Sequence, residues 1–280
     1  MLGAIAGDII GSFFERSRVK FYDFDLFYPW SRFTDDSVMT LAVARWLMPD
    51  SDRSPDRLVG IMQEFGREYP DAGYGYRFNQ WLHSSAPQPY GSWGNGSAMR
   101  VSPAGIVAST LDEALGLARI SASVTHNHPA GIAGAQAVAA AIWMARHGAS
   151  KGEIRDYIQW HFNYDLTRTI EEIRPDYRWD VSCQGSVPES IIAFLDGRDF
   201  EDTVRLAVSL GGDTDTMACI AGSIAACVYP IPREITLRCE EILPPGCWRP
   251  CATSNGPQDR IESLKSGRRQ KRIARTGIVA

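Results

Sequence analysis

Whatever this chain folds into has to accommodate Gly211-Gly212-Asp213-Thr214-Asp215-Thr216, which places two carboxylates and two hydroxyls immediately ahead of the small and apolar run Met217 to Val228. That run predicts a helix able to cross a domain core. Asp and Thr are residues that cap helix starts, so the acids sit at a buried helix's mouth. Capping uses one such side chain. Asp213 and Asp215 are two carboxylates that repel each other beside an apolar core unless a cation lies between them. Hard oxygen ligands suit Mg²⁺, Mn²⁺ or Ca²⁺. By itself the fragment serves equally well as an elaborate cap or as half of a metal site.

The same grammar occurs a second time. Thr34-Asp35-Asp36-Ser37 heads another helix-length apolar pattern, Val38 to Leu47, far away in the sequence. Two acid-headed helices whose starts meet in space would offer about five or six oxygens to a pair of cations, the ligand type of a two-metal hydrolytic site.

A chain of 280 residues with 44% hydrophobic content can bury a sizeable core. One domain is expected, because both acidic clusters must serve one site. A net charge of −4 gives no reason to expect nucleic acid on the body of the protein. The apolar runs fall short of a membrane span, and the N-terminal segment, broken by Asp8, does not read as a signal peptide. A cytoplasmic protein is the expectation. All six cysteines fall between Cys183 and Cys251. Cys219 and Cys227 lie inside the apolar helix as small hydrophobes, and only Cys247 and Cys251 are placed to bridge.

Leu2 to Phe14 reads as a buried helix whose glycines let a neighbouring backbone approach closely. Asp8 and Glu15, seven apart, share a helical face, either as a solvent stripe or with Glu15 aimed into the site as acid, base or outer ligand. Ser17 to Arg32 is aromatic and irregular, a loop packed over something. Gly91-Ser92-Trp93-Gly94-Asn95-Gly96 exposes backbone N–H groups ahead of a helix near Ser97, a turn able to cradle phosphate oxygens, although such turns usually carry nothing. It matches neither the Walker pattern nor a dinucleotide fingerprint. Pro129 opens an Ala-rich helix ending near Arg146. His126, just before it, is the stronger functional candidate, and His128 is a cap-region residue. Other helices are expected over Pro55 to Arg67, near Trp81, over Leu111 to Ala122, Lys151 to Trp160, Ser190 to Leu195 and Phe200 to Ser209. With no period-two strands, the class is all-α: one compact multi-helix domain over 1–250. Residues 257–280 carry seven Lys/Arg against two Asp/Glu. The 251–280 tail is therefore expected to be basic and disordered, the one segment suited to touch RNA or acidic surfaces.

These motifs also fall in one order. Gly7-Asp8 with Glu15, then Thr34-Asp35-Asp36-Ser37-Val38-Met39, Gly91 through Arg100, Thr125-His126 and Gly211 through Thr216 together resemble the ADP-ribosylglycohydrolase family from about residue 3 to about residue 230. The resemblance implies an all-α fold with a binuclear Mg²⁺ or Mn²⁺ centre at the base of an ADP-ribose cleft. It implies metal ligation by Thr34, Asp35 and Asp36 from one side and by Asp213, Asp215 and Thr216 from the other. It implies catalytic roles for Glu15, Asp35 and Asp36, and a diphosphate-binding turn at Gly91, Ser92, Trp93, Gly94 and Asn95. His126 resembles a histidine near the ribose, and Ser37 departs mildly from a frequent threonine. The implied activity is metal-dependent cleavage of the C1″ glycosidic bond of ADP-ribosylated proteins or other conjugates, releasing ADP-ribose. Two other readings stand beside it. One is a non-catalytic ADP-ribose-binding or crystallin-like structural member; the other is a metal hydrolase of free nucleotides or phosphoesters.

Overall fold

The computed structural model describes residues 1–17 and 19–244, and these described residues wind through fourteen α-helices. In order they are α1 (Leu2–Ser12), α2 (Asp35–Trp46), α3 (Pro55–Glu68), α4 (Tyr76–Leu82), α5 (Gly96–Met99), α6 (Ser102–Val107) and α7 (Leu111–Ser123). There follow α8 (Pro129–Arg146), α9 (Lys151–Phe162), α10 (Ile170–Ile173), α11 (Cys183–Asp196), α12 (Phe200–Val208), α13 (Thr214–Ala225) and α14 (Arg233–Ile242). Among the described residues the only extended pairing is a single antiparallel bridge between Gly94 and Ser182. The class is all-α, and the basic tail, with Cys247 and Cys251, lies outside the described residues.

Two helices make the centre. Every residue of α13 is buried, and α1, α5, α8, α11 and α12 surround it. A helix apolar on all sides has to be enclosed in this way. The Ala-rich α8 is the second axis, packed by α5, α6, α7, α9, α11 and α13. Its start follows the sequence closely: Pro129 takes the first helical position and the His128 ring accepts from Ala130 N.

The contact that positions the site is α1 against α13. Gly3, Gly7 and Gly11 recur every four residues, so they line one face of α1. A Cβ at Gly3 would stand 2.3 Å from Gly222 O, one at Gly7 2.0 Å from Ala218 O, and one at Gly11 2.3 Å from Thr214 O. No other residue type fits at such distances, so the glycines set how closely the helices cross. Thr214 Oγ1 locks the end of the crossing by donating to Gly11 O at 2.8 Å. The acidic start of α13 is thereby held beside Asp8 on α1.

Two local expectations needed correction. The helix anticipated only after Pro188 begins at Cys183, because Ser182 caps it by accepting from Gly185 N. Pro188 removes one helical hydrogen bond, and burial of α11 against α8, α12 and α13 outweighs that loss. At the other end of the chain, α1 stops at Ser12, so Asp8 and Glu15 do not share a helix. Asp8 is wholly buried, which excludes the solvent stripe.

Candidate functional site

The starts of α2 and α13 meet. Thr216 Oγ1 donates to Asp36 Oδ2 at 3.3 Å across the two segments. Carboxylate oxygens of Asp8, Asp36 and Asp215 all lie within 4.8 Å of one another, and so do those of Glu15, Asp213 and Asp215. Asp215 belongs to both groups, so the two acidic sets are contiguous. Asp35 stands beside them in the floor of the same cleft.

The local hydrogen bonds explain how so many acids stay in place. Asp8 Oδ2 accepts from Thr34 N at 2.9 Å, Ser37 N at 3.1 Å and Ser37 Oγ at 2.5 Å. Thr34 Oγ1 donates to Asp8 Oδ1 at 2.7 Å, lies 3.1 Å from Asp36 Oδ2, and accepts from Asp36 N at 3.3 Å. Asp8 and Thr34 together therefore satisfy the first turn of α2, which leaves Asp35 and Asp36 free to face the cleft. On the opposite side Asn95 Nδ2 donates to Asp213 Oδ2 at 2.7 Å.

Electrostatics make this an expensive arrangement for a bare protein. Among the described residues, no lysine or arginine forms an ion pair with any of the six acids. Burial, then the neighbouring carboxylates, push Asp36 and Asp215 far above the usual range and Asp35 to about 7. Burial raises Asp8 to about 6 despite its four hydrogen bonds, and raises Asp213 as well. Glu15 rises through burial and then the charge of Asp213. Asp36 Oδ1 is buried with no hydrogen-bond partner. An orphaned carboxylate oxygen among uncompensated like charges, all of them hard donors, fits a divalent cation.

Above these acids opens a cleft of about 360 Å³. Glu15, Asp35, Asp36, Asp213, Asp215 and Thr216 line its floor. One wall is the glycine turn, which the structure builds more tightly than an open cradle. Gly91 N donates to Asn127 Oδ1 at 2.7 Å, Gly94 N to Ser92 Oγ at 3.2 Å and Asn95 N to Val181 O at 2.8 Å. Three of the five amides anticipated for phosphate thus already have protein partners, leaving those of Ser92 and Trp93. Ser92, Gly94, Asn95 and His126 line the cleft, whereas Gly91 and the half-exposed Trp93 do not. Thr34 is buried behind the floor rather than in the lining. Tyr90, Arg77 and Trp179 complete the rim.

The family model described as ADP-ribosylglycohydrolase matches residues 1–270. This chain belongs to the ADP-ribosylglycohydrolase family. It is 26% identical to the ADP-ribosylhydrolase ARH3 of Mus musculus, over 86% of this chain and 86% of that one. It is 26% identical to the ARH3 of Homo sapiens, over 86% and 88%. An ADP-ribosylarginine hydrolase, Tri1 of Pseudomonas putida, is 27% identical over 49% of this chain and 39% of its own length. A solved structure titled ADP-ribosylglycohydrolase-related protein complex superposes with a TM-score of 0.66 at 24% identity, covering 86% of this chain and 93% of that one, which speaks to the fold.

As an ADP-ribosylglycohydrolase the chain is a hydrolase, and of the residues singled out from the sequence its cleft is lined by all but Thr34, Gly91 and Trp93. The residue that sequence reasoning left out of the site is Asp8. Its signal was the Gly7-Asp8 pair: the glycine that must touch α13 fixes where the next side chain goes. Arg100, a buried residue of the cleft lining, and Thr125, buried next to His126, were likewise not singled out as site residues. Among the described residues no helix is long and apolar enough to cross a membrane.

Proposed function

We propose that this protein is a metal-dependent hydrolase that cleaves the C1″ glycosidic bond of ADP-ribosylated targets, arginine- or serine-linked or related conjugates, and releases ADP-ribose. Two divalent cations, Mg²⁺ or Mn²⁺, would be held by Asp35, Asp36, Asp213 and Asp215 with the hydroxyl of Thr216 and, from behind the floor, that of Thr34. The observation that carries this reading is Asp215, shared by two acidic groups from distant parts of the chain, next to an Asp36 oxygen with no protein partner.

Bound cations would supply Lewis acidity and fixed coordination for sugar and water oxygens. The remaining steps belong to the chain's own side chains. Breaking the C1″ bond builds oxocarbenium character on the ribose, and the carboxylates of Asp35 and Asp36 face the space where that charge develops. Glu15, raised by burial and by Asp213, is suited to take a proton from attacking water or return one to the leaving group. The turn Gly91 to Asn95 holds the diphosphate through the amides of Ser92 and Trp93 that it leaves free, with Gly91, Gly94 and Asn95 fixing its shape, and His126 holds the ribose end. The protein works in the cytoplasm on protein or small conjugates, and the domain spans residues 1–250.

The test is release of ADP-ribose from arginine-, serine- and nucleic-acid-linked substrates, with and without EDTA. Release that EDTA abolishes and Mg²⁺ or Mn²⁺ restores is expected. Release untouched by EDTA sinks the metal role. Tight ADP-ribose binding without turnover marks a non-catalytic reader, and liberation of inorganic phosphate marks a phosphoesterase.

A further inference from the structure

Arg100 is a buried cation with no carboxylate partner. The side chain is 1% exposed, forms no ion pair among the described residues, and its Nε has no hydrogen-bond partner. One of its terminal nitrogens uses both hydrogens, donating to Ser121 O at 2.7 Å and to Thr125 Oγ1 at 2.8 Å. A guanidinium only donates, so the Thr125 oxygen is the acceptor and its own hydrogen must go elsewhere. The acceptor within reach is His126 Nδ1, 2.7 Å away. Were Nδ1 protonated instead, the buried Thr125 hydroxyl hydrogen would be stranded. The ring is held neutral, since burial and then the charge of Arg100 depress its basicity well below the ordinary value. The other ring nitrogen, Nε2, faces the glycine turn: a Cβ at Gly96 would stand 3.1 Å from it and one at Gly94 3.7 Å. His126 lines the cleft at that point, and among the described residues the ring hydrogen bond it makes is through Nδ1, not Nε2.

We infer that Arg100, acting through Thr125, fixes His126 as a neutral ring with its proton on Nε2, so that it presents a polarised hydrogen-bond donor to an oxygen of the ADP-ribosyl ligand. Arg100 and Thr125 are positioning residues, and His126 binds rather than abstracts a proton. The inference deepens the functional reading above, from which it takes the identity of the ligand; the orientation of the ring is independent of it.

The first measurement uses the ligand-free chain: long-range ¹H–¹⁵N correlation of the His126 ring. The wild type is expected to show the Nε2–H tautomer alone, Thr125→Val a mixture of tautomers, and Thr125→Ser a return to Nε2–H. A wild-type ring with Nδ1–H, or a Thr125→Val ring indistinguishable from wild type, overturns the relay. The second measurement is ADP-ribose affinity by calorimetry, expected to fall about tenfold in Thr125→Val and to recover within about twofold in Thr125→Ser, the scale of one polarised hydrogen bond. Equal affinity in wild type and Thr125→Val overturns the binding role of Nε2. A wild type that binds no ADP-ribose defeats the functional reading and this use of Nε2 together, while the ring spectrum still decides the relay itself.

Discussion

The starts of α2 and α13 carry nearly the same letters and do opposite things with them. At α2 the helix end is served by others. Thr34 caps Asp36 N, Asp8 from α1 takes Thr34 N and Ser37 N, and the two aspartates of the motif are released toward the cleft. At α13 the residue in the capping position, Asp213, makes no cap hydrogen bond and instead accepts from Asn95 across the cleft. Its first turn is steadied by Thr214 on Gly11 O and by Asp215 accepting from the next amide. An acid at a helix start is thus a cap or a ligand according to who else satisfies the amides. The difference lies in the partners rather than in the motif.

The largest expected effect comes from removing the acid both groups share. Asp215→Asn should lower turnover by about a thousandfold or more, since it takes a ligand from both proposed cation positions at once. In chelated protein the same change should raise the melting temperature, because it relieves uncompensated like charge. Retained turnover, or a fall in the chelated melting temperature, would show that Asp215 only steadies the first turn of α13 through Thr216 N.

Next comes the crossing that delivers Asp8 to α2. Gly7→Ala puts a Cβ 2.0 Å from Ala218 O and should cost about 3 kcal/mol or more, as α1 is forced off α13. Gly60→Ala, on the exposed side of α3 with nothing within 4 Å, is the control and should stabilise by about 0.5–1 kcal/mol. Urea denaturation of the two variants measures the contrast. Similar values for both would mean that the close approach does not hold the two starts together.

A third effect is in the pH dependence of the chelated chain. Asp8 is raised to about 6 and Asp35 to about 7, both above the ~4 of an unfolded aspartate. The folded chain therefore holds more protons than the unfolded one. Their contribution is complete below about pH 4 and is lost as pH rises through 6 and 7. Chelated protein should melt higher at pH 5 than at pH 8, and saturating Mg²⁺ or Mn²⁺ should reverse the order, because cation and proton compete for the same oxygens. Scanning calorimetry with and without EDTA reads this directly.

How much of this was legible beforehand follows the same division between local and borrowed interactions. Ser54-Pro55, Ser150 with Glu153, and His128-Pro129 announce helix starts whose partners lie within a turn, and α3, α9 and α8 begin there. The Ser182 start of α11 was hidden because Pro188 looked like a boundary, and α14 has no side-chain cap to announce it. At the site, the two acid-headed helices were legible as motifs, but the service Asp8 gives to α2 was not, since it arises from a third helix brought in by glycine contact. The turn at Gly91 to Asn95 was read as open amides, yet Asn127, Ser92 and Val181 take three of them. Composition cannot reveal which donors the tertiary fold consumes.

The two smallest effects test the contrast at its source. Thr34→Ala removes the cap on Asp36 N and a donor to Asp8, and should cost about 1–2 kcal/mol in chelated protein. Asp213→Asn should change stability by less than about 0.5 kcal/mol. No cap hydrogen bond is there to lose, the amide oxygen of the new side chain can still accept from Asn95 Nδ2, and one buried negative charge disappears. The opposing terms are both small because Asp213 caps no amide of α13. Chemical denaturation of the pair, side by side in EDTA, decides the matter. Should Asp213→Asn cost as much as Thr34→Ala, the α13 acid is a working cap after all, and its carboxylate is not free for a cation.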